Sequence, residues 1–191
     1  MTDLTKIKAF AFDVDGVFTD GGVLAIGNGD LLRTFNAKDS FAIRTAIING
    51  FPVAIITGGC SESIASRFRT LNVPDADIYQ LSKNKLPDLQ HFCERHHFQL
   101  SEVMFCGDDV PDVPSIMEAG IGVCPKDACI EAIEAADIVS DKCGGHQFVR
   151  DIVERTLRAQ GMWKFDPLQP WGFNYGDEIT LSALKTGRNA E

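Results

Sequence analysis

The sequence predicts an α/β fold in which a parallel sheet lies between two layers of helices. Four short runs are apolar apart from Lys8 in the first, and each stops at a polar loop or at proline: residues 7–12, 52–56, 103–106 and 121–124. Runs of this length that are apolar on both faces are typical of buried parallel strands. Segments with helical patterns separate the runs, and this alternation predicts a three-layer, Rossmann-like core.

The segments between the apolar runs have the spacing of amphipathic helices. In residues 61–71, apolar side chains recur at helical intervals behind Ser61, which is a suitable N-cap. Comparable helices are predicted in residues 39–49, 83–97, 111–119, 127–135 and 146–159.

Two segments depart from the alternation of strands and helices. Residues 22–35 contain two apolar runs around Gly27-Asn28-Gly29-Asp30, which predicts a β-hairpin that could project as a flap over the strand ends. After residue 161 the chain is rich in proline, glycine and aromatic residues. We therefore expect a core over residues 1–160 and a C-terminal extension or tail over residues 161–191.

Composition narrows the functional classes. The 191 residues carry a net charge of −9 and no cluster of Lys and Arg, which argues against nucleic-acid binding. No apolar run approaches the roughly 18–20 residues that span a bilayer, and the N-terminus has no signal-peptide pattern, so we expect a cytoplasmic protein without a membrane partner. The six cysteines include no CxxC pair, which favours reduced thiols over a zinc site.

Polar residues with the chemistry of a phosphate site follow the predicted strands. In a parallel sheet, the loops after neighbouring strands meet at one edge, where ligands bind. The candidates are Asp13 and Asp15 after the first strand, Thr57 and Gly58 after the second, Lys85 at the start of a helix, and Asp108, Asp109 and Asp112 after the third.

These residue types suit metal-assisted phosphoryl transfer. Mg²⁺ prefers hard oxygen ligands, and Asp13 and Asp108 can supply two carboxylates. Lys85 and the Thr57 hydroxyl can hold phosphoryl oxygens. A carboxylate such as Asp13 can attack phosphorus, and Asp15 is close enough in sequence to protonate the leaving oxygen and later deprotonate water.

The motifs resemble the four signatures of the haloacid dehalogenase superfamily. They are AFDVDGVFTDGG, AIITGG, the following Lys85, and FCGDDVPD, and the resemblance covers roughly residues 7–160. Asp-Xaa-Asp alone would be a weak signal, but the four motifs in this order are specific.

The resemblance implies roles for the carboxylates. Asp13 is implied to be the nucleophile and a Mg²⁺ ligand. Asp15 is implied to be the general acid and base, with its backbone carbonyl on the metal, and Asp108 to be a further metal ligand. Asp109 and Asp112 are implied to lie behind these ligands, where Asp112 would hold metal-bound waters or the lysine.

The resemblance also implies how the substrate is held. Thr57, Gly58 and Lys85 would bind the phosphoryl group. Arg67 occupies the place of an arginine that contacts substrate in similar proteins, across a subunit interface.

The chain resembles one family within this superfamily. Only the hairpin fits in the first gap between motifs, and residues 86–102 hold little more than one helix, so no cap domain is expected. RTFNAKDSFAIR and KCGGHQFVRD resemble segments of the 3-deoxy-D-manno-octulosonate 8-phosphate phosphatases, which form tetramers and act in lipopolysaccharide sugar biosynthesis. The chain departs from that pattern at Ser40 and Gln147, where similar proteins usually have glycine, and at Gly59, where they often have a charged residue.

Two alternative functions remain open at this stage. One is a phosphatase for a nine-carbon acid-sugar 9-phosphate of the KDN or sialic acid type. The other is a catalytically silent oligomerisation domain. In either enzyme, the apolar hairpin is expected to be buried between subunits, giving a homotetramer with shared active sites.

Overall fold

A computed structural model describes residues 2–27, 31–169 and 172–173, and a six-stranded parallel sheet forms its centre. The strands of the described chain are β1 Ala9–Phe12, β2 Leu24–Ala25, β3 Leu31–Leu32, β4 Val53–Ile56, β5 Ile78–Tyr79, β6 Val103–Cys106, β7 Ile121–Cys124 and β8 Ile138–Val139. Across the sheet their order is β5-β4-β1-β6-β7-β8, while β2 and β3 form a separate antiparallel pair.

Helices cover both faces of this sheet. Those of the described chain are α1 Ala37–Ile48, α2 Glu62–Arg69, α3 Lys85–His96, α4 Val113–Glu118, α5 Ile130–Ala135 and α6 Phe148–Ala159. Along β1, Phe10 and Phe12 pack with α1, α2 and α6, whereas Ala9 and Ala11 face α3, α4 and α5. The alternation of side chains along a strand thus divides the core into two layers, and the predicted three-layer fold is confirmed.

The two edge strands β5 and β8 were missed in the sequence. Each has only two residues, Ile78–Tyr79 and Ile138–Val139, which are too few to show a strand pattern. They form because β4 and β7 offer free edges: Ile78 pairs in register with Ile55 of β4, and Ile138 pairs with Val123 of β7.

The order of the strands places the acidic loops together. β1 pairs with β4 on one side and with β6 on the other, so that Phe12 lies opposite both Ile55 and Cys106. The chain winds away from β1 in both directions, and this is the position at which open α/β sheets bind ligands.

The hairpin pairs Leu24 with Leu32 and Ala25 with Leu31. The predicted turn lies partly outside the described residues, because residues 28–30 are not among them. Leu24 is 63% exposed and is the most exposed of the hairpin's large apolar side chains. The others, Val23, Ile26, Leu31 and Leu32, are exposed as well.

The chain after α6 turns back against α1 and α6. The ring of Phe173 lies 5.0 Å from that of Trp163 and 5.8 Å from that of Phe41, and the Arg150 guanidinium stacks 4.6 Å over Trp163. Most of the predicted tail lies outside the described residues. In the part of the chain that the structure describes, no helix combines the length and apolarity needed to cross a membrane.

Candidate active site

The acidic loop begins where β1 ends. The Asp13 backbone N–H donates to the Cys106 carbonyl at 2.9 Å, which continues the sheet by one residue and fixes the start of the loop. Gly16 has a φ of +80°, and a Cβ there would lie 1.9 Å from Asp108 Oδ2. Glycine is therefore required for the two acidic loops to approach each other.

Lys85 forms ion pairs with two carboxylates at this point. Its Nζ lies 2.9 Å from Asp13 Oδ2 and 2.6 Å from Asp112 Oδ1. All three side chains are buried. Burial alone would lower the pKa of Lys85, but the attraction of both carboxylates outweighs it and raises the pKa above its ordinary value. Lys85 is therefore a permanent cation in the site.

Asp112 also shapes the loop that carries Asp108. Its Oδ2 accepts the backbone N–H of Asp108 at 2.9 Å and that of Asp109 at 3.2 Å. Gly107 allows this approach, because a Cβ at that position would lie 2.4 Å from the Asp112 Cβ. One carboxylate thus holds both the lysine and the second acidic loop.

Three carboxylates form a candidate metal centre. One oxygen each from Asp13, Asp108 and Asp112 lies within 4.8 Å of the other two. Within the described part of the chain, Oδ1 of Asp13 and Oδ1 of Asp108 are buried without a hydrogen-bond partner. Burial, together with repulsion from Asp112, raises the pKa of Asp13 to about 7. Burial and repulsion from Asp13 and Asp112 raise the pKa of Asp108 to about 8.

This donor set fits a hard divalent cation such as Mg²⁺. Buried carboxylate oxygens without partners are costly unless a cation neutralises them. The sequence predicted ligands on Asp13, Asp15 and Asp108, of which Asp13 and Asp108 belong to the cluster. The side chain of Asp15 does not belong to the cluster but pairs with Arg33. The ligand predicted from Asp15 is its backbone carbonyl, and this stays a prediction.

The second wall of the site comes from the loop after β4. Thr57 is buried, and its Oγ1 accepts the backbone N–H of Gly59 at 3.1 Å. The predicted N-cap is present, since Ser61 Oγ accepts the backbone N–H of Ile64 at the start of α2. Together the loops enclose a cleft of about 520 Å³. Residues of all four motifs line it: Asp13, Asp15, Thr57, Gly58, Lys85, Asp108, Asp109 and Asp112.

Arg33 was not among the predicted site residues, yet it binds Asp15. Its Nε lies 2.6 Å from Asp15 Oδ1, and its Nη2 lies 2.9 Å from Asp15 Oδ2. The sequence signal was weak, because Arg33 appears there only as the first residue of RTFNAKDSFAIR. The contact depends on the path of the hairpin, which brings Arg33 back over the loop after β1.

Arg67 does not line the cleft of its own protomer in the described structure. Its Nη2 donates to Ser40 Oγ, and its guanidinium lies 5.9 Å from the ring of Phe35. Burial lowers the pKa of Arg67 below its ordinary value. The contact between Arg67 and substrate across a subunit interface stays a prediction.

A third loop supports the acidic loop from behind. The Gly145 N–H donates to the Val17 carbonyl at 3.0 Å, and Asn36 Nδ2 donates to the Gly145 carbonyl at 3.2 Å. The fully buried carboxylate of Asp39 accepts the backbone N–H of Gln147 at 3.3 Å, just before α6. The segments RTFNAKDSFAIR and KCGGHQFVRD thus meet behind the site and support it.

Comparison with known proteins agrees with this geometry. A family model described as haloacid dehalogenase-like hydrolase matches residues 60–143. The chain is 35% identical, over 161 residues, to the 3-deoxy-D-manno-octulosonate 8-phosphate phosphatase of Salmonella typhi. That similarity covers 84% of this chain and 85% of the relative.

Solved structures show the same fold. The 3-deoxy-D-manno-octulosonate 8-phosphate phosphatase of Yersinia pestis superposes with a TM-score of 0.80 at 31% identity, covering 83% of this chain and 85% of that one. The corresponding enzyme of Moraxella catarrhalis, in complex with a magnesium ion, a phosphate ion and a KDO molecule, has a TM-score of 0.80 at 28% identity. It covers 94% of this chain and 95% of its own.

Proposed function

Because the chain belongs to the 3-deoxy-D-manno-octulosonate 8-phosphate phosphatase family of haloacid dehalogenase-like hydrolases, we propose that it hydrolyses this eight-carbon acid-sugar phosphate with Mg²⁺. The cluster of Asp13, Asp108 and Asp112 around Lys85 carries the proposal. It offers a nucleophile, a metal centre and a cation together at the carboxyl ends of the central strands. The Moraxella complex supports the choice of cation and sugar.

In the first half of the proposed reaction, Asp13 attacks phosphorus and the sugar leaves. The Asp13 carboxylate forms a bond to phosphorus while the bond between phosphorus and the sugar oxygen breaks. Asp15, which lines the cleft two residues further on, donates a proton to that oxygen. The free acid sugar departs and an aspartyl phosphate remains.

In the second half, water releases the phosphate. Asp15 takes a proton from the water as the water oxygen attacks phosphorus, and the bond between phosphorus and Asp13 breaks. Inorganic phosphate leaves and the Asp13 carboxylate is regenerated. Thr57, Gly58 and Lys85, which line the same cleft, would hold the phosphoryl oxygens throughout both halves.

The metal would be held by Asp13, Asp108 and the Asp15 backbone carbonyl, with Asp112 beside it. When bound, Mg²⁺ supplies positive charge to the phosphoryl oxygens and favours the ionised form of Asp13. We expect EDTA to abolish activity and Mg²⁺ to restore it, whereas Ca²⁺ inhibits because its larger, looser coordination misplaces the nucleophile. Full activity in excess EDTA would exclude the metal assignment.

The direct test of the nucleophile is Asp13→Asn. The amide has the shape of the carboxylate but cannot form the aspartyl phosphate, so we expect turnover of the eight-carbon phosphate to fall by about 1,000-fold or more. Thermal unfolding of the variant checks that the fold persists. Turnover at the rate of the unchanged protein would exclude Asp13 as the nucleophile.

A nine-carbon acid-sugar 9-phosphate is the second candidate substrate. Position 59 lines the cleft and is glycine, so no charged side chain at this position selects one sugar over the other. Comparing kcat/KM for the eight- and nine-carbon phosphates decides between them. If a panel of sugar phosphates yields no Mg²⁺-dependent phosphate release from folded protein, the silent oligomerisation domain becomes the better description.

The proposal extends to assembly and context. The exposed apolar side chains of the hairpin favour burial between subunits, and we infer a homotetramer in which Arg67 reaches a neighbouring active site. We further propose a catalytic core over residues 1–160 with an extension over 161–191. The same proposal places the reaction in the cytoplasm, within lipopolysaccharide sugar biosynthesis.

A further inference from the structure

We propose that Arg33 is a positioning residue that holds the Asp15 carboxylate in one orientation at the edge of the cleft. The inference rests on the proposed function, in which Asp15 is the general acid and base. Arg33 directly follows β3, so its two hydrogen bonds to Asp15 connect the hairpin to the catalytic loop.

The burial of the two side chains shows which of them faces substrate. The Arg33 side chain is 3% exposed, whereas that of Asp15 is 31% exposed and lines the cleft. Arg33 therefore lies behind Asp15 and acts through it. A third hydrogen bond, from Arg33 Nη1 to the Leu31 carbonyl at 3.1 Å, fixes the guanidinium itself.

The geometry of the pair leaves Asp15 able to react. Two parallel hydrogen bonds between a guanidinium and a carboxylate fix the plane of the carboxylate as well as its position. Each carboxylate oxygen has two lone pairs, and Arg33 occupies one on each. One of the remaining positions carries the proton that passes to the leaving oxygen, and once empty it accepts a proton from water; a fixed orientation raises the fraction of time in which it points there.

Gly59 makes room for Arg33. A Cβ at position 59 would lie 2.9 Å from Arg33 Nη2, a distance that real Cβ contacts do not show. The next nearest atoms, in Thr57 and Ile64, would be at 3.5 Å, which is ordinary van der Waals contact. An alanine at position 59 would therefore disturb Arg33 before it disturbed the threonine of the phosphate site.

The test uses two leaving groups. p-Nitrophenolate leaves without a proton, whereas a sugar alkoxide needs one, and kcat/KM reports only the steps up to loss of this first product. We expect Arg33→Ala to lower kcat/KM for an alkyl phosphate at least ~10-fold more than for p-nitrophenyl phosphate. Arg33→Lys, which keeps the charge but not the paired hydrogen bonds, should show a smaller selective loss. Arg155→Ala, at an exposed arginine of α6, should change neither value.

A double-mutant cycle tests the role of Gly59. We expect Gly59→Ala to produce a smaller selective loss of the same kind, because the end of the arginine side chain can shift away from the new Cβ. The substitution should add almost nothing when Arg33 is already alanine, because it acts through Arg33. Gly27→Ala is the matched control, since a Cβ at this hairpin position has no atom within 4 Å.

The outcomes separate this inference from the proposed function. Equal losses for both leaving groups, or additive losses in the cycle, would overturn the role of Arg33. If the unchanged protein does not hydrolyse the eight-carbon phosphate but hydrolyses another alkyl phosphate, the proposed substrate is wrong. The role of Arg33 is then tested by comparing that alkyl phosphate with p-nitrophenyl phosphate. If it hydrolyses no phosphomonoester, both proposals fail.

Discussion

Replacement of Lys85 by methionine should destabilise the metal-free protein strongly. Lys85 Nζ contacts Asp13 at 2.9 Å and Asp112 at 2.6 Å, and the three side chains are buried together. Methionine fills a similar volume without the charge. The three neighbouring carboxylates of Asp13, Asp108 and Asp112 would remain, but the cation that forms ion pairs with Asp13 and Asp112 would be lost.

The size of the effect follows from this burial. Removing one partner of a buried ion pair costs about 3–5 kcal/mol, because the remaining charge is left uncompensated. In a protein of this length, 1 kcal/mol corresponds to about 2–4 °C, so the Tm should fall by about 6–20 °C. Mg²⁺ should recover part of this loss, since a divalent cation also neutralises the carboxylates.

The assay is thermal unfolding at pH 8, first in EDTA and then with Mg²⁺, at one protein concentration. Lys83→Met is the matched control, because Lys83 lies on the same cleft but is exposed. This control substitution should change the free energy of unfolding by no more than about 0.5 kcal/mol. If Lys85→Met is no less stable than this control in EDTA, Lys85 does not neutralise the cluster and the reasoning is refuted.

Three further predictions concern the metal site and the hairpin. The pKa of Asp13, raised to about 7, and that of Asp108, raised to about 8, mean that the metal-free folded protein binds more protons than the unfolded chain. The free energy of unfolding in EDTA should therefore fall as the pH rises from about 4 to about 8, and a calorimetric series in which it rises would contradict this. Gly16→Ala should weaken Mg²⁺ binding by ~10-fold or more in calorimetric titration, because the new Cβ would displace Asp108; unchanged affinity would argue against the close approach of the two loops. Changing Leu24 and Leu31 to Asp should produce monomers in light scattering and lower kcat/KM for the sugar phosphate by ~10-fold or more, whereas a fully active folded monomer would exclude shared sites.

Local sequence patterns were sufficient for the main elements of this fold. The four apolar runs became β1, β4, β6 and β7, because a run that is apolar on both faces has a stable place only inside a covered sheet. The ends of these runs also located the candidate site, since parallel strands bring their following loops to the same edge. Asp13, Thr57, Lys85 and Asp108 accordingly line one cleft.

Contacts between distant segments were decided only by the tertiary structure. β5 and β8 exist because a neighbouring strand offers an unpaired edge, which two residues of local sequence do not reveal. Arg33 reaches Asp15 only through the path of the hairpin. The resemblance implied a contact between Asp112 and Lys85, but no local pattern shows it, and it forms because α3 and the loop after β6 meet beside β1. Periodicity and motif order depend on neighbouring residues, whereas these ion pairs depend on the packing of segments 18 and 27 residues apart in the chain.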